Sequence, residues 1–240
     1  MTVAPDAVPD TSRLRVQLLI AARGGCRDGV AAEVADTARR AAASLGDEVI
    51  VRWLVQVDDD AFPAANPLCR PFEVVLELEG PAAVGADALL GSLDGLPGRV
   101  EEDAHLDLSG VFVGHPQMII PGDEAAMRYL YVMRRKAGTT HDAYLDYYFH
   151  NHSRFGFATP GISGYVQFHI DADASRAAAQ RLGVGTCTAD SVSELYFAEG
   201  LDEFYAGIGD GSLAVEAGTD EERFVDRANS VSFCTNSHVA

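Results

Sequence analysis

The sequence predicts an α+β fold: two ferredoxin-like βαββαβ units packed as one intramolecular pseudo-dimer. Three observations carry this. The apolar period switches repeatedly between two and about 3.6 along the 240 residues. The resulting order of elements, β-α-β-β-α-β, runs through twice. The junction between the two runs, "IIPGDEAA", carries apolar Ile119 and Ile120 and leads to Met127, with no Gly/Ser linker, so the halves are expected to pack together. A four-stranded sheet with helices on one face leaves its other face bare. Two such sheets face to face bury both.

In the first half, Leu14 to Ala22 reads as a strand and "RGGCRDG" as a tight turn. That turn lacks the spacing of either a Rossmann or a P-loop motif. Val30, Val34, Ala38, Ala41 and Leu45 form a helical stripe. Val49 to Val57 alternates as a strand, and after the Pro-rich loop "DDDAFPAANPLCRP" so does Phe72 to Leu78. "GADALLGSL" is a short helix and Leu108 to Val113 the last strand. In the second half, "MRYLYVMRR" is a strand and Thr140 to His152 a helix. "GYVQFHID" and "SVSELYFA" are two further strands, "GLDEFYAGI" a helix, and "SVSFCTNSHV" closes the unit. The expected organisation is a floppy tail at 1–12, a first domain at 13–122 and a second at 127–240.

Composition narrows the function. Net charge is -18, from 36 acidic and 18 basic side chains. A nucleic-acid or anionic-membrane partner needs a basic footprint, so neither is expected. No apolar run approaches the length of a membrane helix. The first residues carry neither a basic nor an apolar export signal, so a cytoplasmic location and free thiols at Cys26, Cys69, Cys187 and Cys234 are expected. None of these cysteines forms a Cys-x-x-Cys pair. Arg134, Arg135 and Lys136 are the one basic cluster, read as a solvated loop.

The stretch "YYFHNHSRFGFATPG" concentrates the chemistry. Thr139 or Thr140 can cap the helix, with Asp142 in its first turn. Tyr144, Tyr148 and His152 follow at i, i+4 and i+8, flanked by Leu145 and Phe149, so this face looks at the sheet. His150 falls near the opposite face. The His-x-His pair therefore points apart, and no metal site is expected. Burial favours a neutral His152 ring and the helix end favours the charged one, so it titrates near neutrality, where a general base is useful. The bland alternative is a core histidine that caps a carbonyl. On the strands, Tyr165, Gln167 and His169 share one face, Glu194 and Tyr196 another, and Cys234, Asn236 and His238 a third. Periodicity leaves open whether these rows meet the helices or the opposing sheet.

Residues 127–240 resemble an EthD domain, of the dimeric α/β-barrel superfamily. The resemblance rests on "MRRKAGTTHDAYLDYY", on "SRFGFATPGISGYVQFH" after the histidine, on "DSVSELYF" and on "ERFVDRANSVSF". It places His152 at the family's helix histidine, Tyr148 at its usual Trp, His169 at its strand histidine and Glu194 at its acidic residue. Phe224 and Asp226 fall on its late motif. Arg154 stands where the family has a proline. The first half resembles the fold alone, and its helix "AAEVADTARRAAAS" offers neither an aromatic residue nor a histidine.

The resemblance implies a cofactor-independent enzyme, of oxidoreductase, cyclase or decarboxylase type, on a small apolar or aromatic, polyketide-like compound. His152, Tyr148 and His169 are the expected catalytic residues. Tyr144, Tyr165, Phe149, Glu194 and His238 are expected to bind substrate. The alternative is a non-catalytic binding or accessory protein. Haem is a remoter third, since other members of the superfamily hold it through a histidine. A single pocket, in the second half, and a monomeric pseudo-dimer or homodimer are expected.

Overall fold

The computed structural model describes residues 3–4, 6–58, 60, 72–122, 127–198, 200, 202 and 211–240. Its elements are β1 (Arg13–Ile20), α1 (Arg27–Leu45), β2 (Ile50–Gln56), β3 (Val74–Pro81), α2 (Ala86–Gly91), α3 (Leu96–Val100) and β4 (Gly110–Ile120). Then follow β5 (Met127–Met133), α4 (His141–Tyr147), α5 (Ser153–Ala158), β6 (Gly164–Ile170), α6 (Ala172–Leu182), β7 (Ser191–Phe197), α7 (Ser212–Glu221) and β8 (Val231–Val239). Residues 148–152, between α4 and α5, form one wider π-turn.

All strands pair antiparallel in one closed barrel, in the order β1-β3-β2-β8-β5-β7-β6-β4. The expected two sheets in face-to-face contact are thus joined edge to edge as well. Each half contributes four consecutive strands in the order fourth, first, third, second. The seams are β2 with β8, from Arg52↔Val239 to Gln56↔Thr235, and β4 with β6, from Gly114↔Ile170 to Ile120↔Tyr165. Closure leaves none of these eight described strands with an open edge.

The second half departs from the simple expected order. Helix α6 lies between β6 and β7, where a direct connection was expected. Its signals are ordinary: Asp171 caps the amides of Asp173 and Ala174, and Gly183 closes the helix with a φ of 67°. Helix α7 was also unforeseen. The expected helix "GLDEFYAGI", apart from Gly200 and Asp202, and Cys69 lie outside the described residues.

Alternation along each strand separates two layers of core. Outside, Val30, Val34, Ala38 and Ala41 of α1 settle on Val16, Val51, Leu76 and Leu78. Inside one end of the barrel, Leu19, Leu54, Val75, Phe112, Leu130, Phe168 and Phe233 interdigitate. The other end is ionic. Arg15 donates to Glu194 Oε1 at 2.7 Å and to Glu79 Oε2 at 2.6 Å. Arg128 and Arg52 each reach Glu77 Oε1 at 3.3 Å, and Gln17 bonds Glu77 and Glu194. Arg15, Glu77, Arg128 and Glu194 are each at most 1% exposed in their side chains. The residues that sequence alternation marks as polar therefore face the barrel axis and one another.

Burial works against ionisation of Glu77, but Arg15, Arg128 and Arg52 outweigh it and hold its carboxyl at about 2. A carboxylate held below its unfolded value contributes stability above the ordinary glutamate range. That contribution fades as pH falls towards 2. Glu77→Leu is therefore expected to cost roughly 3–5 kcal/mol at neutral pH, since three cations lose their common partner. Urea unfolding of the variant and wild type between pH 7 and pH 3 checks both statements, because the difference between them should shrink at the acid end.

Candidate functional site

Thr140 caps α4, accepting from the amide of Ala143 at 3.2 Å, and fixes where the aromatic helix begins. The helix then widens by one residue, so the amide of Ser153 reaches back to the carbonyl of Tyr148. Such π-turns are inserted single residues and are frequent at functional sites. The insertion displaces His152 from the 3.6-residue stripe. Tyr144 and Tyr148 stay against the sheet, wholly buried, whereas His152 is carried to the rim of a cavity.

That cavity measures about 1210 Å³. Its floor is the outer face of the second half's strands: Tyr129, Tyr131, Tyr165, Ser193, Leu195 and Ser232. Its walls come from Phe155, Gly156 and Thr159 around α5, and from Ala214, Ala217 and Glu221 of α7. It is large enough for a multi-ring ligand. In the first half, by contrast, α1 sits closely on its sheet through small residues, with Val30, Val34 and Ala38 fully buried. A cavity of about 500 Å³ lies at the start of α1, lined by Arg23, Asp58, Glu73 and His105.

His152 does not face the cavity alone. Its Nδ1 lies 2.9 Å from Asp220 Oδ2. The other oxygen, Oδ1, accepts from Tyr147 at 2.8 Å and from Arg154 at 3.0 Å. Burial disfavours the Asp220 charge, but these three hydrogen bonds prevail and hold the carboxyl below its usual range. An ionised Asp220 requires the proton on Nδ1, leaving the lone pair on Nε2. Burial is the largest influence on His152 and pulls it below the ordinary histidine value, with Asp220 opposing. The ring is wedged between Phe155 and Phe224, at centroid distances of 5.0 Å and 5.1 Å. Neutral and oriented, it is a base with its acceptor atom aimed away from the aspartate.

Of the eight residues expected at the site, His152 and Tyr165 line this cavity. Tyr148 stands one layer behind, its ring 5.9 Å from His152 and its hydroxyl 3.3 Å from that of Tyr165. His169 is further back, packed on Tyr148 and Phe149. Burial drives His169 down to about 3, so it is a neutral core ring. It bonds Gln167 Oε1 at 3.2 Å, and Gln167 donates to the Tyr165 hydroxyl at 2.9 Å. Tyr144 is tied to Ser191 at 2.7 Å, and Phe149 packs with Ile119 and Tyr165. None of these four lines the cavity. Glu194 is inside the barrel with Arg15, because its strand position is inward. His238 stacks on Trp53 at 5.1 Å, at the β2–β8 seam. Neither reaches His152.

Sequence reasoning passed over Asp220 and Glu221. The available signal was "TDEERFVD", an acidic pair shortly before the Phe-x-Asp motif. Arg154, the departure from the family's proline, is a hydrogen-bond donor to Asp220 rather than a passive wall.

An axial histidine needs one free ring nitrogen: His152 Nδ1 is held by Asp220, so Nε2, 3.9 Å from Glu221 Oε1, is the nitrogen that a haem iron would have to use. Among the described residues, no three His, Cys, Asp or Glu side chains gather as a metal site.

Two measurements follow from this geometry. Asp220→Asn should lower the His152 pKa further, because it removes the group that raises it; NMR titration of the ring protons reads this directly. Gly156→Ala should shrink the cavity. A Cβ there would overlap the ring of Tyr165, so the ring must swing out of place. Ligand affinity at the cavity is expected to fall about tenfold, equivalent to roughly 1.4 kcal/mol, by calorimetry.

No curated protein matches the chain by sequence. Among solved structures, an anthrone oxidase-like protein superposes with a TM-score of 0.60 at 11% identity, over 100% of this chain and 97% of that one. A point variant of chlorite dismutase from Candidatus Nitrospira defluvii gives 0.52 at 10% identity, over 95% and 92%. A protein of Lactobacillus acidophilus named as a candidate monooxygenase gives 0.51 at 11% identity, over 95% of each chain. At such identities the likeness is one of fold, a dimeric α/β-barrel. The EthD domain matches residues 136–228, a narrower span than the resemblance drawn from the motifs, and it contains α4, the π-turn, Asp220 and Glu221. Over residues 136–228, then, this chain is similar to the EthD domain.

Proposed function

We propose that the chain is a cofactor-independent enzyme acting on a small, largely apolar, phenolic compound of polyketide-like build, with His152 as general base. One observation carries this: the lone pair of a buried, neutral His152, oriented by an ionised Asp220, sits at the rim of a 1210 Å³ cavity. A base that is neutral at pH 7 accepts a proton without first losing one. The rings of Tyr129, Tyr131, Tyr165 and Phe155 offer apolar faces for a flat ligand. Burial raises the first three phenols above their usual range, so they stay protonated and act as donors.

Taking a phenolic proton, or a C–H proton conjugated with a carbonyl, leaves an electron-rich anion. Such an anion can react with dioxygen, cyclise or lose a group. The name of the anthrone oxidase-like neighbour makes anthrones the first compounds to try.

The test is aerobic turnover of anthrone by wild type and His152→Gln, with calorimetric binding of anthraquinone alongside. The variant should lose roughly 10²–10⁴-fold in turnover. Its affinity for anthraquinone should change little. If both proteins bind alike and neither turns anything over, the chain is a binding protein and the enzyme reading falls.

A further inference from the structure

Resting on that enzyme reading, we propose that Glu221 is the general acid partner of His152, so that the site moves both protons of one enolisation. Asp220 and Glu221 are consecutive residues at the end of α7, yet they take opposite sides of the same ring. Asp220 Oδ2 is 2.9 Å from Nδ1; Glu221 Oε1 is 3.9 Å from Nε2. Glu221 lines the cavity, and Asp220 does not. The gap at Nε2 is too long for a hydrogen bond. It leaves the imidazole lone pair and the carboxyl side by side, both turned to the ligand space.

The surroundings keep Glu221 in play as an acid. Its side chain is 15% exposed, with Oε2 3.2 Å from Arg227 Nε. Burial is the largest influence and pushes its carboxyl up to about 7; Arg227 opposes this and the Asp220 charge adds to it. The other ionisable groups at this cavity are His152 and Arg154 from the helix pair, Tyr129, Tyr131 and Tyr165 from the strands, Lys136 from the loop after β5, and Glu222, Asp226 and Arg227 after α7. Among these, Arg227 is the cation in contact with Glu221.

The chemistry closes without a further reactant. Consider a ketone with an acidic C–H conjugated to its carbonyl. The C–H proton goes to His152 Nε2, and its electron pair becomes a carbon–carbon double bond. The carbonyl π pair takes the proton of the Glu221 carboxyl, giving the enol. Imidazolium and carboxylate then stand side by side. One proton passes from Nε2 to Oε1 through a small rotation or a bridging water, and both groups are restored. The competent form has His152 neutral and Glu221 protonated. Its rate therefore rises with pH as His152 loses its proton, below the ordinary histidine range, and falls through about pH 7 as Glu221 ionises.

The experiment is deuterium exchange of the anthrone methylene in D₂O without oxygen, followed by NMR across pH 5–9 for the full chain. Wild type should give a bell-shaped profile. Glu221→Gln should slow exchange roughly 10²-fold and abolish the alkaline limb. Arg227→Met should keep that limb and move it to higher pH, a shift that a merely structural Glu221 would not give. If Glu221→Gln keeps the wild-type rate and limb while His152→Gln is slow, the inference is overturned and the base assignment survives. If wild type exchanges no faster than buffer, or His152→Gln is unimpaired, the enzyme reading itself falls. Anthraquinone binding reports whether each variant folds; should Glu221→Gln fail there, an unmoved limb in Arg227→Met overturns the inference.

Discussion

Closure of the barrel is the constraint on which the rest depends. Eight strands with every edge paired enclose a space that alternate residues of all of them must fill. One end is filled with aliphatic and aromatic side chains. The other holds Arg15, Arg52, Arg128, Glu77, Glu79 and Glu194, whose partners lie on strands from both halves. Arg15 of β1 meets Glu194 of β7 across 179 residues of sequence. Such a cluster ties the relative placement of the two halves to specific donor–acceptor geometry, which apolar packing alone does less sharply. The cavity beside His152 lies outside the barrel, between the sheet and the helices. The two halves differ there. In one, alanine and valine let α1 settle on the strands; in the other, tyrosines and a widened helix hold α4, α5 and α7 away.

Much of this fold was legible, for a physical reason. Period two and period 3.6 are properties of the chain's own geometry, so α1, β2, β3, β6 and β7 could be placed from apolar spacing. What spacing does not carry is the side to which a polar row turns. Glu77, Glu79 and Glu194 alternate as solvent-facing residues would, and their buried cations become visible only when distant strands meet. Helix α6 was lost differently. Its run between Asp171 and Gly183 buries only Ser175, Ala178, Ala179 and Leu182, mostly small residues that do not stand out as an apolar stripe, and its boundary residues were the better signal.

The candidate site shows the same division. His152 stood out because a histidine at the end of a tyrosine stripe is locally unusual. Its exact place depends on the π-turn, which no 3.6-residue pattern anticipates. Asp220 lies 68 residues further on and meets His152 only through the docking of α7 on the helix pair. His169 and Glu194 illustrate the converse. Both match the family's positions, yet one is a neutral ring behind Tyr148 and the other an ion of the barrel. A shared motif fixes where a residue stands on its strand, while the function of that residue is set by the layer it enters.

The barrel's two seams are made within a single chain, and this alters how the protein tolerates change. In an assembly of identical subunits, each substitution is copied to every symmetry-related position, so a residue good for a binding site is also imposed on its scaffold. Here a codon change touches one side alone. A bulky aromatic can be tried beside His152 without wedging apart α1 and its sheet, and a stabilising alanine under α1 closes no cavity elsewhere. Divergence of the ligand space is thereby uncoupled from the mutational load on its support.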